Sequence, residues 1–250
     1  GIPIREHLFV FSPMIALIAT MLAIVLCPLV ANRSARTIAA VTSIGLIAAI
    51  VLAIRVARSI GAGGVSGFST HPAAGLLIAD NLSAGFQIIL LVFLAAVTYL
   101  WWIGQAHRET DAPEFFILLL GSAVGMSLMV STTNLLMIVI AIETASLPSY
   151  ALVGFDKRDR LGAEASLKYV IFGAVSAAIM LYGASLLYGL VGSLNVADVA
   201  HYTYAQLSTG QNRLLLSVAV LCFFAGIAFK ISAVPLAIDS RRVLLPMPLG

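Results

Sequence analysis

The sequence predicts an all-α integral membrane protein with about seven transmembrane helices, and three observations predict it. Of the 250 residues, 61% are hydrophobic and 10% charged, whereas soluble domains run near 45 to 50% apolar and about 25% charged. Mean hydropathy is +1.06, and the apolar runs recur along the whole chain, so a cleaved signal peptide does not account for them. The runs are close to the roughly 20 apolar residues that cross a hydrocarbon core, and no soluble domain of useful size remains between them.

The stretches that meet this standard are 8–30, 37–57, 82–103, 115–130, 134–155, 163–191 and 214–237. The first is separated from the second by Arg33 and Arg36, and the second ends near Arg55 and Arg58. A Gly- and Ser-rich connection over 59–69 follows, with His71 as a surface residue. The third closes on Tyr99, Trp101 and Trp102, rings that sit at membrane interfaces and anchor helix ends. The connection 105–114 mixes His107, Arg108, Glu109, Asp111 and Glu114 as a solvated face. Only Ser131, Thr132 and Thr133 divide the fourth stretch from the fifth. One helix of about 40 residues would overrun the bilayer, so the pattern is split there. A charged turn, Asp156 to Arg160, leads into the sixth, and a polar connection over 193–212 leads into the seventh.

Of the 14 Lys and Arg residues, Arg33, Arg36, Arg108, Lys157, Arg158, Arg160, Arg241 and Arg242 share one side if the spans alternate. Arg5, Arg55, Arg58 and Arg213 share the other, which predicts an outside amino terminus. The net charge of +3 is scattered, without a run of like charge, so nucleic acid is not expected as a partner. Cys27 and Cys222 lie in apolar runs with no Cys or His companion and read as buried structural thiols. Asp198 and His201 have nothing nearby to complete a metal site. There is no phosphate loop, nucleophile elbow or ligand cluster, so no cofactor is expected within this chain.

The residues that need a reason are the charges inside spans, because an ionisable group at a helix centre costs about 2.5 to 3.5 kcal/mol. Glu143 lies near the middle of the fifth span. Five residues on, Pro148 lacks the N–H that would bond the Thr144 carbonyl. Lys230 and Pro235 repeat the arrangement, freeing the carbonyl of Ile231. Pro148 and Pro235 are therefore expected to kink their helices and to create points that hold water, since backbone opened at membrane depth must be satisfied by protein or water. Lys168, about one and a half turns into its span, has two readings. It can pair along the helix with Glu164 at i, i+4, or across the short turn with Glu143, where an opposite charge would keep both groups ionised.

The run Glu143-x-x-Ser146-Leu147-Pro148-x-Tyr150-x-Leu152-Val153-Gly154 is followed by Arg158-x-Arg160-Leu161-x-x-Glu164-Ala165-x-Leu167-Lys168-Tyr169. Then come Tyr182-Gly183-x-x-Leu186-Leu187-Tyr188-Gly189-x-x-Gly192-Ser193-Leu194 and Ala228-Phe229-Lys230-Ile231-Ser232-Ala233-Val234-Pro235. Together they resemble subunit N of the NADH-quinone oxidoreductases, respiratory complex I. The resemblance implies half of a 14-helix antiporter-like subunit that translocates protons and is multi-pass in a cell inner membrane. By motif position Glu143 resembles the family's fifth-helix Glu, Lys168 its sixth-helix Lys and Lys230 the Lys of its discontinuous seventh helix, and on that basis Glu143 and Lys168 are expected to form a modulated pair and Lys230 to receive the proton. Its partners would be the lipid bilayer, water, protons and other membrane-arm subunits. FMN, iron–sulfur clusters and quinone would belong to those subunits, leaving this chain without a redox centre of its own.

On this basis 1–113 is expected to form peripheral helices, 114–237 a partial proton-translocating bundle, and 238–250 an atypical tail. After Pro235 the family pattern stops, and the sequence reads Leu236-Ala237-Ile238-Asp239-Ser240-Arg241-Arg242. A fragment, a shifted reading frame and a truncated paralogue would each produce that break. Two alternatives compete with a complex I subunit: a cation/proton antiporter or membrane-hydrogenase subunit of the same superfamily, and a truncated protein with a structural or assembly role.

Overall fold

The structure is a computed structural model that describes residues 8–30, 34–61, 76–104, 111–156, 158–209 and 212–231. Among these residues the helices in order are α1 (Ser12–Val30), α2 (Ala35–Gly61), α3 (Asn81–Gly104), α4 (Ala112–Val130), α5 (Leu135–Val153), α6 (Arg160–Val191), α7 (Val196–Thr209) and α8 (Arg213–Lys230). Helices α2 to α6 and α8 are long and apolar enough to cross a membrane, and α1 adds the shorter apolar stretch Ser12–Cys27. Over the described residues each of the seven expected spans therefore corresponds to a helix. His71, His107, Arg108, Lys157 and the tail 238–250 lie outside the described residues.

The chain forms two compact units, 1–132 and 133–250. Composition and resemblance placed a boundary before α4, whereas α4 packs within the first unit. Its Phe116, Leu120 and Ala123 share a core with Leu17 and Ile24 of α1, Ile38 and Leu46 of α2, and Leu91 and Leu94 of α3. Helix α2 shows why such a bundle forms. Its buried residues Ala35, Ile38, Ala39, Thr42, Leu46, Ala49, Ala53 and Val56 recur at helical spacing, while Ile44 and Ile47 face outward. Asp80 and Ser83 exchange hydrogen bonds at the start of α3, with each side chain accepting from the other's N–H at 2.7 and 3.0 Å. The segment before α3 is fastened to the end of α4, where Ile78 N–H donates to Ser131 O at 2.7 Å and the Thr132 hydroxyl to Leu76 O at 2.6 Å. Trp101 was expected at an interface; it packs edge-on against Phe116 at 5.1 Å, while Tyr99 and Trp102 stay exposed.

In the second unit, Asn134 caps α5, its side chain accepting from the N–H groups of Leu136 and Met137. Leu135 N–H donates to Leu194 O and Val196 N–H to Thr133 O, so the start of α5 meets the end of α6. Asp159 caps α6 by accepting from Leu161 N–H, and Gly192 ends it with φ 75°. The connection 193–212, read from the sequence as a polar connection, carries α7 over Val196–Thr209. Val199, Tyr202, Thr203 and Gln206 fall on its shielded side at the spacing of one helix face, and Val199 packs on the unit's core. Half of that face is polar, which hid the helix in the sequence. Cys27 and Cys222 are free thiols, partly exposed rather than buried.

Helices α6 and α8 pack by backbone approach. A Cβ on Gly183 would stand 2.6 Å from Phe223 N and 2.7 Å from Ala219 O, and one on Gly226 would stand 2.7 Å from Ser176 O. Small residues at such contacts let membrane helices close when water supplies no driving force. Gly189, on the same helix, has nothing within 4 Å of an added Cβ. Gly183→Ala is expected to destabilise the protein by about 1 to 3 kcal/mol through overpacking against atoms that cannot yield. Gly189→Ala is expected to match or exceed the native protein, and thermal unfolding in detergent reads both.

Candidate functional site

Three elements of the second unit meet around the Lys230 ammonium. Helix α5 presents Glu143, Ser146 and Tyr150 at i, i+3 and i+7, one face of the helix. Helix α8 ends at Lys230, where Ile231 N–H bonds back to Ile227 O and Phe229 O. Helix α6 contributes Gly173, where the absence of a side chain leaves room for the Tyr150 hydroxyl.

Lys230 Nζ lies 2.8 Å from Glu143 Oε1. It donates to the Tyr150 hydroxyl at 2.6 Å and, over a longer 3.5 Å, to Ser146 Oγ. An ammonium has three N–H donors and no acceptor; here two of its contacts are hydrogen bonds to hydroxyls and the third is the carboxylate's counter-charge. Ser146 is free to accept because its own proton goes to Ile142 O at 2.7 Å. Glu143 Oε1 is buried and makes no hydrogen bond of good angle; the contact with Lys230 is an ion pair. Tyr150 is 3% exposed. Its ring meets Tyr169 edge-on at 4.7 Å, and its carbonyl accepts from the Ser166 hydroxyl at 2.7 Å, which ties α5 to α6.

The expected pairing of Glu143 with Lys168 is not the one the structure makes. Lys168 pairs along α6 with Glu164 at 2.6 Å, the i, i+4 arrangement, and Glu143 turns to Lys230 instead. The reason is local reach: Glu164 lies one turn from Lys168 on its own helix. Burial separates the two pairs as well. Lys230 and Glu143 side chains are 12% and 25% exposed, against 35% and 57% for Lys168 and Glu164.

Pro148 does not interrupt α5, which runs unbroken from Leu135 to Val153. Around it Thr144, Ser146 and Ser149 turn their hydroxyls back to the carbonyls of Ile140, Ile142 and Ala145, at 2.8, 2.7 and 3.1 Å. Pro235 lies outside the described residues. Ser146 and Tyr150 belong to the motif that carries the resemblance but were not expected as partners of a charge, and Gly173 was not singled out. The first two could have been found by stepping three and seven residues from Glu143, whereas nothing in the sequence marks Gly173. Among the described residues no group of three His, Cys, Asp or Glu side chains could hold a metal ion.

All of these residues fall within 132–238, the stretch that matches the family described as NADH:quinone oxidoreductase/Mrp antiporter, TM. Fold and site thus define an integral membrane protein of the antiporter-like class. NADH-quinone oxidoreductase subunit N 2 of Acidobacterium capsulatum is 42% identical over 168 residues, which is 64% of this chain and 33% of that protein. A chain of respiratory complex I from Thermus thermophilus with bound aureothin aligns with a TM-score of 0.68 at 29% identity, over 92% of this chain and 46% of its own. A chain of the archaeal membrane-bound sulfane sulfur reductase has a TM-score of 0.75 at 20% identity, covers 96% of this chain and 47% of its own, and shows the fold alone. Residues 132–238 thus match the NADH:quinone oxidoreductase/Mrp antiporter membrane family, and the chain is a homologue of NADH-quinone oxidoreductase subunit N. It spans between a third and a half of the length of these proteins.

The contrast in burial gives a stability prediction. Lys230→Met is expected to destabilise the protein by about 2 to 3 kcal/mol, because it leaves Glu143 partly buried without its counter-charge. Lys168→Met should leave thermal unfolding in detergent close to native, since an exposed i, i+4 pair contributes little. Adding Glu143→Gln to Lys230→Met should recover part of the loss.

Proposed function

We propose that the chain is part of a membrane-arm subunit of a proton-translocating NADH:quinone oxidoreductase, and that the Glu143 and Lys230 pair is its proton-handling centre. The observation that carries this reading is the partly buried carboxylate and ammonium, held 2.8 Å apart between α5 and α8 inside the family-matched stretch. Ionisable groups at membrane depth mark ion pathways. In this reading the Lys230 ammonium gives up a proton to water or to the next acceptor, leaving a neutral amine, and is later reloaded. Movement of charge at Glu143 sets which form is favoured. Lys168, held by Glu164 toward the start of α6, is a second protonatable group on the route. The Thr144 carbonyl, deprived of its amide partner by Pro148, is a polar point for water on the same helix, and Pro235 plays the matching part beyond Lys230.

The chain in this reading supplies ion passage only. FMN, iron–sulfur clusters and quinone reside in partner subunits, and the energy reaches this one through membrane-arm contacts. The membrane is a cell inner membrane with the amino terminus outside, supported by the basic connections containing Arg33, Arg36, Arg158 and Arg160.

Two measurements test the proposal. In membrane vesicles containing the assembled complex, Glu143→Gln and Lys230→Ala should each strongly reduce proton pumping per NADH oxidised. Native pumping in both removes the assignment. For orientation, Arg158→Cys in a background lacking Cys27 and Cys222 should react with an impermeant maleimide only from the inner face; reaction from the outer face reverses the topology.

A further inference from the structure

Glu143 and Lys230 leave one feature of the cluster without a role: the shortest contact to the ammonium comes from the Tyr150 hydroxyl, at 2.6 Å, and not from the carboxylate. That hydroxyl is held unusually firmly for a surface of a membrane helix. Its residue is 3% exposed, its ring is braced edge-on by Tyr169, and its oxygen occupies the place a Cβ would take at position 173. The tyrosine carbonyl is bonded to Ser166, so the α5 backbone at this point is fixed to α6 as well. The Lys230 ammonium lies 5.3 Å from the ring centroid, too far to the side for the ring face to substitute for the hydroxyl.

We infer that Tyr150 is a positioning residue for Lys230, and that Gly173 is the notch that seats it. The phenol oxygen accepts one N–H of the ammonium and fixes the Nζ within reach of Glu143. When the contact between Glu143 and Lys230 opens, the tyrosine still holds the ammonium, so the proton stays on a located nitrogen until its acceptor is in place. No bond is made or broken at Tyr150, which acts only through Lys230. This inference rests on the proposed function, and it assigns Tyr150 and Gly173 a part in it that a packing role alone would not require.

The experiment uses the assembled complex in membrane vesicles, with Tyr150→Phe, Gly173→Ala, Lys230→Ala and the double variant Tyr150→Phe/Lys230→Ala. Tyr150→Phe keeps the ring against Tyr169 and removes only the oxygen. Its pumping rate should fall about tenfold, the change in an equilibrium produced by losing one hydrogen bond to a charged group. Gly173→Ala, which pushes the hydroxyl away, should reproduce that loss. In the Lys230→Ala background Tyr150→Phe should add nothing. The phenol C–O infrared band of isotope-labelled tyrosine, assigned as the band absent in Tyr150→Phe, should shift in both Lys230→Ala and Gly173→Ala. Native pumping in Tyr150→Phe, an additive loss in the double variant, or an unmoved band in Lys230→Ala each overturns the inference while leaving the function of Lys230 intact. Native pumping in Lys230→Ala itself overturns the functional reading and this inference together.

Discussion

A cation inside a helical membrane bundle cannot be left to itself, and the second unit of this protein is arranged around that constraint. Taking an ammonium out of water carries a desolvation cost that only close oxygens and a counter-charge offset. Lys230 receives both from one helix, with Glu143, Ser146 and Tyr150 stacked along one face of α5. The arrangement needs α5 to stay regular through Pro148, because three residues spaced at i, i+3 and i+7 converge only on an unbroken helix. The hydroxyls of Thr144, Ser146 and Ser149, bonded back to carbonyls one turn earlier, occur on the same segment.

The same requirement explains where this unit uses glycine. Helix α6 packs against both α5 and α8 and is thin toward each. Toward α8 the thinness is at Gly183, where the backbone of Phe223 fills the missing side chain, and Gly226 answers it from the other helix. Toward α5 it is at Gly173, which admits the tyrosine hydroxyl. Met180 and Ser176 lie between these notches and are fully or nearly fully buried. Packing and site are thus one structure: what brings the helices together is also what lets the charged residues meet.

The helices were legible in the sequence because membrane thickness fixes their length and lipid fixes their composition, and the split at Ser131 to Thr133 followed from that alone. Helix α7 was not, since Thr203 and Gln206 stand on its inward face among Val199 and Tyr202 and dilute the periodic signal. Glu143, Lys168 and Lys230 stood out as charges in apolar runs, but their partners did not. A local partner at i, i+4 is readable for Lys168. The partner of Glu143 lies three helices further along the chain, at a distance only the fold reveals. Tyr150 and Ser146 were visible as residues and silent as ligands, because an apolar helix carries many hydroxyls whose first use is to bond their own backbone.

Helix α6 finally shows why two Glu and Lys pairs of different exposure belong to one design. At 32 residues it is about 48 Å long, against roughly 30 Å of hydrocarbon, so its ends extend into the interfaces. The Glu164 and Lys168 pair occupies its first turns, where the charged turn before it also lies, and it is the more exposed of the two. Gly173 follows only five residues after Lys168, about 7.5 Å further along the axis, and above it the second pair is shielded. Along this helix the more exposed pair thus lies little more than a turn from the notch that faces the more shielded one. An exposed pair is weakly coupled because water screens it, whereas an enclosed pair responds strongly to any change in either partner. The sensitivity of this unit to charge is therefore concentrated at Lys230, and the oxygens that surround Lys230 decide how that sensitivity is used.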